Sequence, residues 1–359
     1  FHGNYAHAGF INSTGPTKLI LYYNVSGSKG NPVSSPTLTT YGPNLLISNT
    51  GPEYNDWIVY LSNNGLNTIA NGGIGWWGAI MTTCALSSLY TPVLSNGYVM
   101  ASQGRANTCH SIPLSPGIGY FSFTGNLIWD VGTPVFTPVV TIYNYLVIAA
   151  GSNFIVAYFL NNGVEAWQQN LTSIINSNTG YIITIPTVGD NVVVVGLMNP
   201  NALMAFNAIS GAYLWRINLT SPITAMPAYG DGYFYFGIGN GTLYSVAPTG
   251  SVKWVYKLGT PATVTPTIAD GKLYVGLGNG TFLAINDASG SIIWSDTFNS
   301  PVTAPPVVSI NGTIYVGTED GGIYAINDTT GALLSKYSVE YSIVSLVLND
   351  GYLIALDSQ

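Results

Sequence analysis

A unit of about 40 residues recurs along this chain, and nothing else in the sequence restricts its fold as strongly. The clearest copies are PAYGDGYFYFGIGNGTLYSVAPTGSVKW from Pro227 to Trp254, PTIADGKLYVGLGNGTFLAINDASGSIIW from Pro266 to Trp294, and PVVSINGTIYVGTEDGGIYAINDTTGALLS from Pro306 to Ser335. Each opens with an apolar segment that ends in a two-residue turn: Asp231-Gly232, Asp270-Gly271 or Asn311-Gly312, with Asp350-Gly351 repeating the pattern later. Such pairs accept the positive φ angles of a type I′ hairpin. An alternating strand follows, then a second turn (Asn240-Gly241, Asn279-Gly280, Asp320-Gly321), a third strand, and a glycine loop that opens a fourth strand. A four-stranded antiparallel sheet with two apolar faces cannot bury both by itself, so the units must stack on one another.

The loop glycine gives the register: Gly15, Gly65, Gly125, Gly163, Gly211, Gly250, Gly290 and Gly331. Four residues after six of them stands an anchor: Ile69, Trp129, Trp167, Trp215, Trp254 or Trp294. After Gly15 the nearby aromatic is Tyr22, and after Gly331 the anchor position is Ser335. Eight marks predict an all-β, eight-bladed β-propeller of four-stranded antiparallel blades, a single domain over residues 1–359. Seven blades is the alternative, since the first two units are irregular. After Gly331 only three strands remain, so residues 4–11 (NYAHAGFI) are expected to complete the last blade and close the ring, removing an exposed edge. The same strand could instead complete a blade of a neighbouring molecule.

The spacing Ala157-Gly163-Trp167, Ala205-Gly211-Trp215 and Ala284-Gly290-Trp294, with Ala325-Gly331-Ser335 as a variant, resembles the tryptophan-docking motif of pyrroloquinoline-quinone-type (quinoprotein) propellers. The resemblance implies that Trp129, Trp167, Trp215, Trp254 and Trp294 dock blade on blade. It does not extend to the family's chemistry. Those dehydrogenases hold their quinone against a disulfide of adjacent cysteines and use a calcium site, an aspartate base and an arginine. Here Cys84 and Cys109 are not adjacent in sequence, and there are four glutamates (Glu53, Glu165, Glu319, Glu340) and two arginines (Arg105, Arg216). The reading is therefore a non-catalytic member, without cofactor or metal; a scaffold does not carry a function with it.

Other chemistry is not signalled. His2, His7 and His110 lack metal-ligand spacing, and there is no Gly-x-Ser-x-Gly elbow. Glu319-Asp320 falls in a hairpin turn, and Asp287 and Asp328 precede a loop glycine where acidic residues suit turn geometry. Residues 67–119 depart most from the repeat. They hold both cysteines, expected to form a Cys84–Cys109 staple on a long insertion, together with a candidate binding patch of Trp76, Trp77, Arg105 and His110. The two tryptophans could stack on sugar rings, anchor a protein partner, or plug the central channel.

The surface of such a chain must be unusual. Charged residues are 6% of it, against roughly 25% in an ordinary soluble domain, so its polar exterior is built of Asn, Ser, Thr, Gly and Tyr. There is no basic stripe, which argues against nucleic acid and anionic membranes, and no apolar run long enough to span a bilayer. Asn-x-Ser/Thr sequons stand at Asn12, Asn24, Asn170, Asn218, Asn240, Asn279, Asn311 and Asn327. A chain poor in carboxylates also changes its charge little on acidification, which suits an acidic habitat. The composition resembles secreted proteins of thermoacidophilic archaea, and Phe1 fits a mature chain after leader removal.

The expectation is a secreted, extracellular glycoprotein of the cell surface without enzymatic activity: an adhesin, or a filament, sheath or pilus-associated subunit. Its partners would be itself, other surface proteins or glycans. The alternative is an extracellular enzyme, quinone-dependent or hydrolytic. A scaffold resembling the outer-membrane assembly lipoprotein of bacteria is disfavoured because no lipobox cysteine stands at the N-terminus.

Overall fold

The computed structural model describes residues 139–176, 180–349 and 352–358, and before them only the strands at 10–11, 34–41, 44–50, 58–61, 78–79, 93–95, 98–103, 117–122 and 127–132. After the short β1 (Phe10–Ile11), the described strands form eight sheets in chain order, each antiparallel between neighbours.

The first sheet holds β2 (Ser34–Tyr41), β3 (Asn44–Thr50), β4 (Ile58–Leu61) and β5 (Gly78–Ala79). The second holds β6 (Val93–Ser95), β7 (Tyr98–Gln103), β8 (Gly117–Ser122) and β9 (Leu127–Gly132). The third holds β10 (Val139–Tyr143), β11 (Leu146–Gly151), β12 (Phe154–Phe159) and β13 (Glu165–Asn170), followed by the one-turn helix α1 (Leu171–Ile175). In the fourth, β14 (Tyr181–Ile182) and β15 (Thr187–Gly189) both pair with β16 (Val192–Met198), ahead of β17 (Ala202–Asn207) and β18 (Tyr213–Asn218). The fifth comprises β19 (Ile223–Gly230), β20 (Tyr233–Ile238), β21 (Thr242–Val246) and β22 (Val252–Lys257). The sixth comprises β23 (Thr267–Ala269), β24 (Lys272–Gly276), β25 (Thr281–Asn286) and β26 (Ile292–Thr297). The seventh comprises β27 (Val302–Ser309), β28 (Thr313–Thr318), β29 (Gly322–Asn327) and β30 (Leu333–Ser338). The eighth shows β31 (Ile343–Asn349) and β32 (Tyr352–Asp357).

The sheets form a ring. Their inner strands β2, β6, β10, β15, β19, β23, β27 and β31 adjoin in that order, and β31 adjoins β2 as well. Hydrogen bonds one repeat apart tie inner segments together: Thr187 Oγ1 donates to the Pro227 carbonyl at 2.8 Å, Thr267 Oγ1 to Pro306 at 2.6 Å, and Thr303 Oγ1 to Ile343 at 2.6 Å. Each threonine thereby satisfies a polar group that stacking would otherwise strand away from water.

Burial follows the layering. β11 is buried along its whole length, and β16, β20, β24 and β28 nearly so, because a sheet lies against each face. The outer strands β22, β26 and β30 alternate between exposed and half-buried residues instead. The turns match the residues that form them. Asp231 and Gly232 adopt φ of 50° and 81°, and Asp270 and Gly271 adopt 50° and 71°, so both pairs close two-residue hairpins with the expected positive angles. At Asn311-Gly312 only the glycine has positive φ, and Asp350-Gly351 lies outside the described residues.

The N-terminal strand departs from expectation. Residues 4–9 lie outside the described residues, but β1 pairs in parallel with β27, Phe10 opposite Val308 and Ile11 opposite Ser309. It therefore lies on the inner edge of the seventh sheet and does not pair with the eighth. The inner strand of a sheet has an unpaired backbone edge toward the ring's axis, and β1 occupies part of that edge. Within residues 67–119 the described parts are β5, β6, β7 and the start of β8, members of the first two sheets; Cys84 and Cys109 lie outside them.

Buried tyrosines give the fold an alkaline limit. Burial, helped by the nearby Glu165 carboxylate, pushes the Tyr158 hydroxyl up to about 12, and burial also raises Tyr235 and Tyr274. These groups ionise first in the unfolded chain, so their contribution is complete below their ordinary pKa of about 10 and is lost as pH climbs through the folded value. Circular dichroism should show a thermal midpoint that falls steadily between about pH 10 and 12. A flat profile there would mean that the three hydroxyls titrate normally.

Candidate functional site

The fourth strand of one sheet meets the glycine loop of the next. Trp129 Nε1 donates to the Leu160 carbonyl (2.9 Å), Trp167 to Ala208 (3.1 Å), Trp215 to Pro248 (2.7 Å), Trp254 to Asp287 (2.7 Å) and Trp294 to Asp328 (2.9 Å). Each indole lies against the loop glycine beside its acceptor: Gly163, Gly211, Gly250, Gly290 and Gly331 in turn. A Cβ on Gly211 would sit 2.5 Å from Trp167 Cδ2, so a side chain there and the ring exclude each other. Within its own sheet Trp167 pairs with Ala157, Trp215 with Ala205 and Trp294 with Ala284; the small residue leaves room for the indole. This accounts for the Ala–Gly–Trp spacing: the alanine makes room for the motif's own ring, and the glycine receives the ring of the preceding sheet.

The loops between these strands form two rims. In a four-stranded antiparallel sheet, the turn joining strands two and three lies at the same end as the close of strand four. Asn240 and Asn279 occupy such turns, and Asn170 and Asn218 end the outer strands β13 and β18, so these four sequon asparagines share one rim and all are exposed. Asn311, in the β27–β28 turn, and Asn327, at the end of β29, belong to the opposite rim. Asn12 and Asn24 lie outside the described residues.

Hydrogen bonds order the shared rim. Asn170 caps α1, its Oδ1 accepting from Thr172 N at 2.9 Å. Asn240 Nδ2 donates to Thr220 Oγ1 across to the preceding loop at 3.0 Å, while its Oδ1 takes Thr242 N at 3.1 Å. Asn218 Oδ1 accepts from Arg216 Nε at 2.6 Å, and Asn279 Oδ1 from Thr281 N at 3.1 Å. Side chains held this way present a fixed amide to solvent. Asn327 differs: it is half-buried, and its Oδ1 accepts from Thr329 N, Thr330 N and Thr330 Oγ1.

Of the other sequence candidates, Trp76, Trp77, Arg105 and His110 lie outside the described residues, as do His2 and His7. Asp320 serves its turn, accepting from Thr318 Oγ1 at 2.6 Å. Among the described residues no group of three or more His, Cys, Asp or Glu is arranged for a metal, and no helix is long and apolar enough to cross a membrane.

Solved structures share the architecture. A computationally designed protein, Ika8, aligns over 90% of this chain and 94% of its own, at 15% identity and a TM-score of 0.70. BamB from Moraxella catarrhalis aligns over 90% and 91%, at 18% and 0.65, and a europium-containing methanol dehydrogenase over 97% and 87%, at 14% and 0.69. Residues 199–345 match the family model described as outer membrane protein assembly factor BamB, somewhat less than half of the chain. The fold is a β-propeller with a pyrroloquinoline-quinone-like repeat. No curated protein sequence matches the chain. The identities are low enough that the likeness concerns the propeller alone; one neighbour is an enzyme and another an assembly factor. The family match falls on the regular part of the propeller.

Proposed function

We propose that this propeller is a secreted, glycosylated, non-enzymatic protein of the cell surface, a structural or adhesive subunit of a filament, sheath or pilus, with eight blades. The observation that carries this reading is the cluster of exposed sequons at Asn170, Asn218, Asn240 and Asn279 on one rim of a chain with 6% charged residues. Sugars on that rim would hydrate a surface that has few charges to do so, and would direct self-association or cell contact to the opposite rim and the outer strands. The non-enzymatic part rests on the separated cysteines and the few glutamates and arginines.

Mass spectrometry of peptides from protein secreted by its own source should find glycan at these four asparagines in most copies. Occupancy at Asn327 should be lower, since its amide oxygen takes three hydrogen bonds in its own turn. Light scattering should show assemblies larger than one chain. Bare asparagines on a monodisperse monomer that binds neither cells nor carbohydrate would sink the reading.

The match to the assembly-factor model favours a second reading, in which the propeller is a scaffold within an envelope assembly machine. Crosslinking on intact cells separates the two: copies of this chain and glycans for the first, a defined set of assembly proteins for the second.

A further inference from the structure

The outer strands carry apolar side chains at one height that no sheet of the same chain covers. Each strand begins at the rim of its loop glycine, opposite the four exposed sequons. There Ile128 in β9, Val164 just before β13, Tyr213 and Leu214 in β18 and Val252 in β22 are all 42–55% exposed. Ile292 in β26 and Leu333 in β30 continue the series. The result is an apolar belt round one end of the molecule. Single exposed apolar residues are ordinary, but a band that recurs at one position in six successive sheets marks a surface built to be covered.

Charge is sorted along the same strands. β9 (LIWDVG) and β13 (EAWQQN) hold the exposed acids Asp130 and Glu165 and no base. β18 (YLWRIN) and β22 (VKWVYK) hold Arg216, Lys253 and Lys257 and no acid. Three of the five lysines and arginines among the described residues thus stand on two adjacent sheet edges. Among the described residues none of these acids and bases forms an ion pair; the one salt bridge is Lys272–Asp328, away from the outer strands. Arg216 Nε meets the Asn218 amide oxygen, and the Lys253 ammonium lies over the Tyr233 ring, so both bases keep their charge uncompensated.

We propose that a second copy of this chain docks edge to edge on the first, the basic fourth and fifth sheets of one copy against the acidic second and third sheets of the next. The joint rests on the reading of the chain as a self-associating surface subunit and gives that association its place. Two requirements fix the geometry. Belt meets belt only when the two propeller axes point the same way, so the facing outer strands run parallel. The order of sheets round the ring then sets β18 opposite β13, and β22 opposite β9, of the neighbouring copy. Heights can be counted from each docking tryptophan. Asp130 stands one residue after Trp129, between the levels of Lys253, one before Trp254, and Lys257, three after it. Arg216 and Glu165 share the other strand pair. Burial of the belt supplies the attraction, and the opposed charges choose the partner edge and its orientation.

The two edges belong to different sheets, so the contact is not self-complementary and each copy leaves one edge free for the next. Two places out of eight sheets separate the acidic face from the basic one, a quarter turn. Level copies would therefore close a ring of about four, and a tilt at the joint would open that ring into a helix with about four copies per turn.

The test uses the full chain made without sugar, so that its outcome is independent of the sequons. Sedimentation velocity should show assemblies that dissociate on dilution. Asp130→Lys with Glu165→Lys sets base against base at the joint, and Lys253→Glu with Lys257→Glu sets acid against acid. Each double variant should associate at least about tenfold more weakly than the parent. All four positions are exposed, so the unfolding midpoint should stay near the parent's. An equimolar mixture of the two variants should assemble again, because every joint then pairs opposite charges. Carbodiimide treatment of the parent should link Lys253 or Lys257 of one copy to Asp130 of another. Parent assemblies that both variants leave intact, or a mixture that stays dissociated, would overturn the joint while the surface-subunit reading stands. A parent chain that stays monomeric at every concentration would also overturn the joint, and glycan occupancy and cell binding would then decide the wider reading.

Discussion

Trp167→Ala should lower the stability of the chain by about 3–5 kcal/mol, read as a fall in the urea midpoint at unchanged slope. The indole is 8% exposed, donates to the Ala208 carbonyl at 3.1 Å, and covers Gly211 of the next sheet. Removing it creates a cavity and leaves a buried carbonyl unpaired, and Ala157, its partner in its own sheet, is too small to fill the space. Trp167→Phe keeps most of the apolar contact and loses the donor, so its cost should be smaller. A loss under about 1 kcal/mol for the alanine variant would mean that docking is dispensable for holding the third and fourth sheets together.

Gly321→Ala should be nearly as severe. Gly321 has φ of +78°, and a Cβ built there would stand 2.3 Å from the Val339 carbonyl oxygen and 2.8 Å from that of Tyr341. Both are backbone atoms, so no rotamer relieves the overlap. The left-handed angle costs roughly 1–2 kcal/mol and the overlap roughly 1–3 more, for a total of about 2–5 kcal/mol. Gly232→Ala is the control: φ is +81°, yet nothing lies within 4 Å of the added carbon, so only the angular cost remains. Equal midpoints for the two variants in urea would show that the turn at Gly321 shifts without penalty.

The repeat made most of this propeller legible from its residues. Glycine at positive φ, a two-residue turn and a tryptophan four residues after the loop are local requirements, and each leaves a mark at a fixed offset. That is why the fifth, sixth and seventh sheets could be read strand by strand. The place of β1 could not. Phe10-Ile11 reads as part of a completing strand, but a sheet edge accepts any extended segment, and the choice between β27 and the eighth sheet depends on which edges are free in three dimensions. The patch around Trp76 and Trp77 lies where the repeat gives no register, so sequence and fold do not inform each other there.

The docking contacts also have a direction. Every indole described points forward, from its own sheet to the next, and the series ends at Ser335, where the seventh sheet has a hydroxyl in place of the ring. Among the described residues, the five joints from the second to the seventh sheet share the indole clasp and the joint after Ser335 does not. Under tension or heat the clasped sheets should stay stacked as an arc when the circle opens outside them. Mechanically, the second to seventh sheets form one band, and Ser335 marks its end.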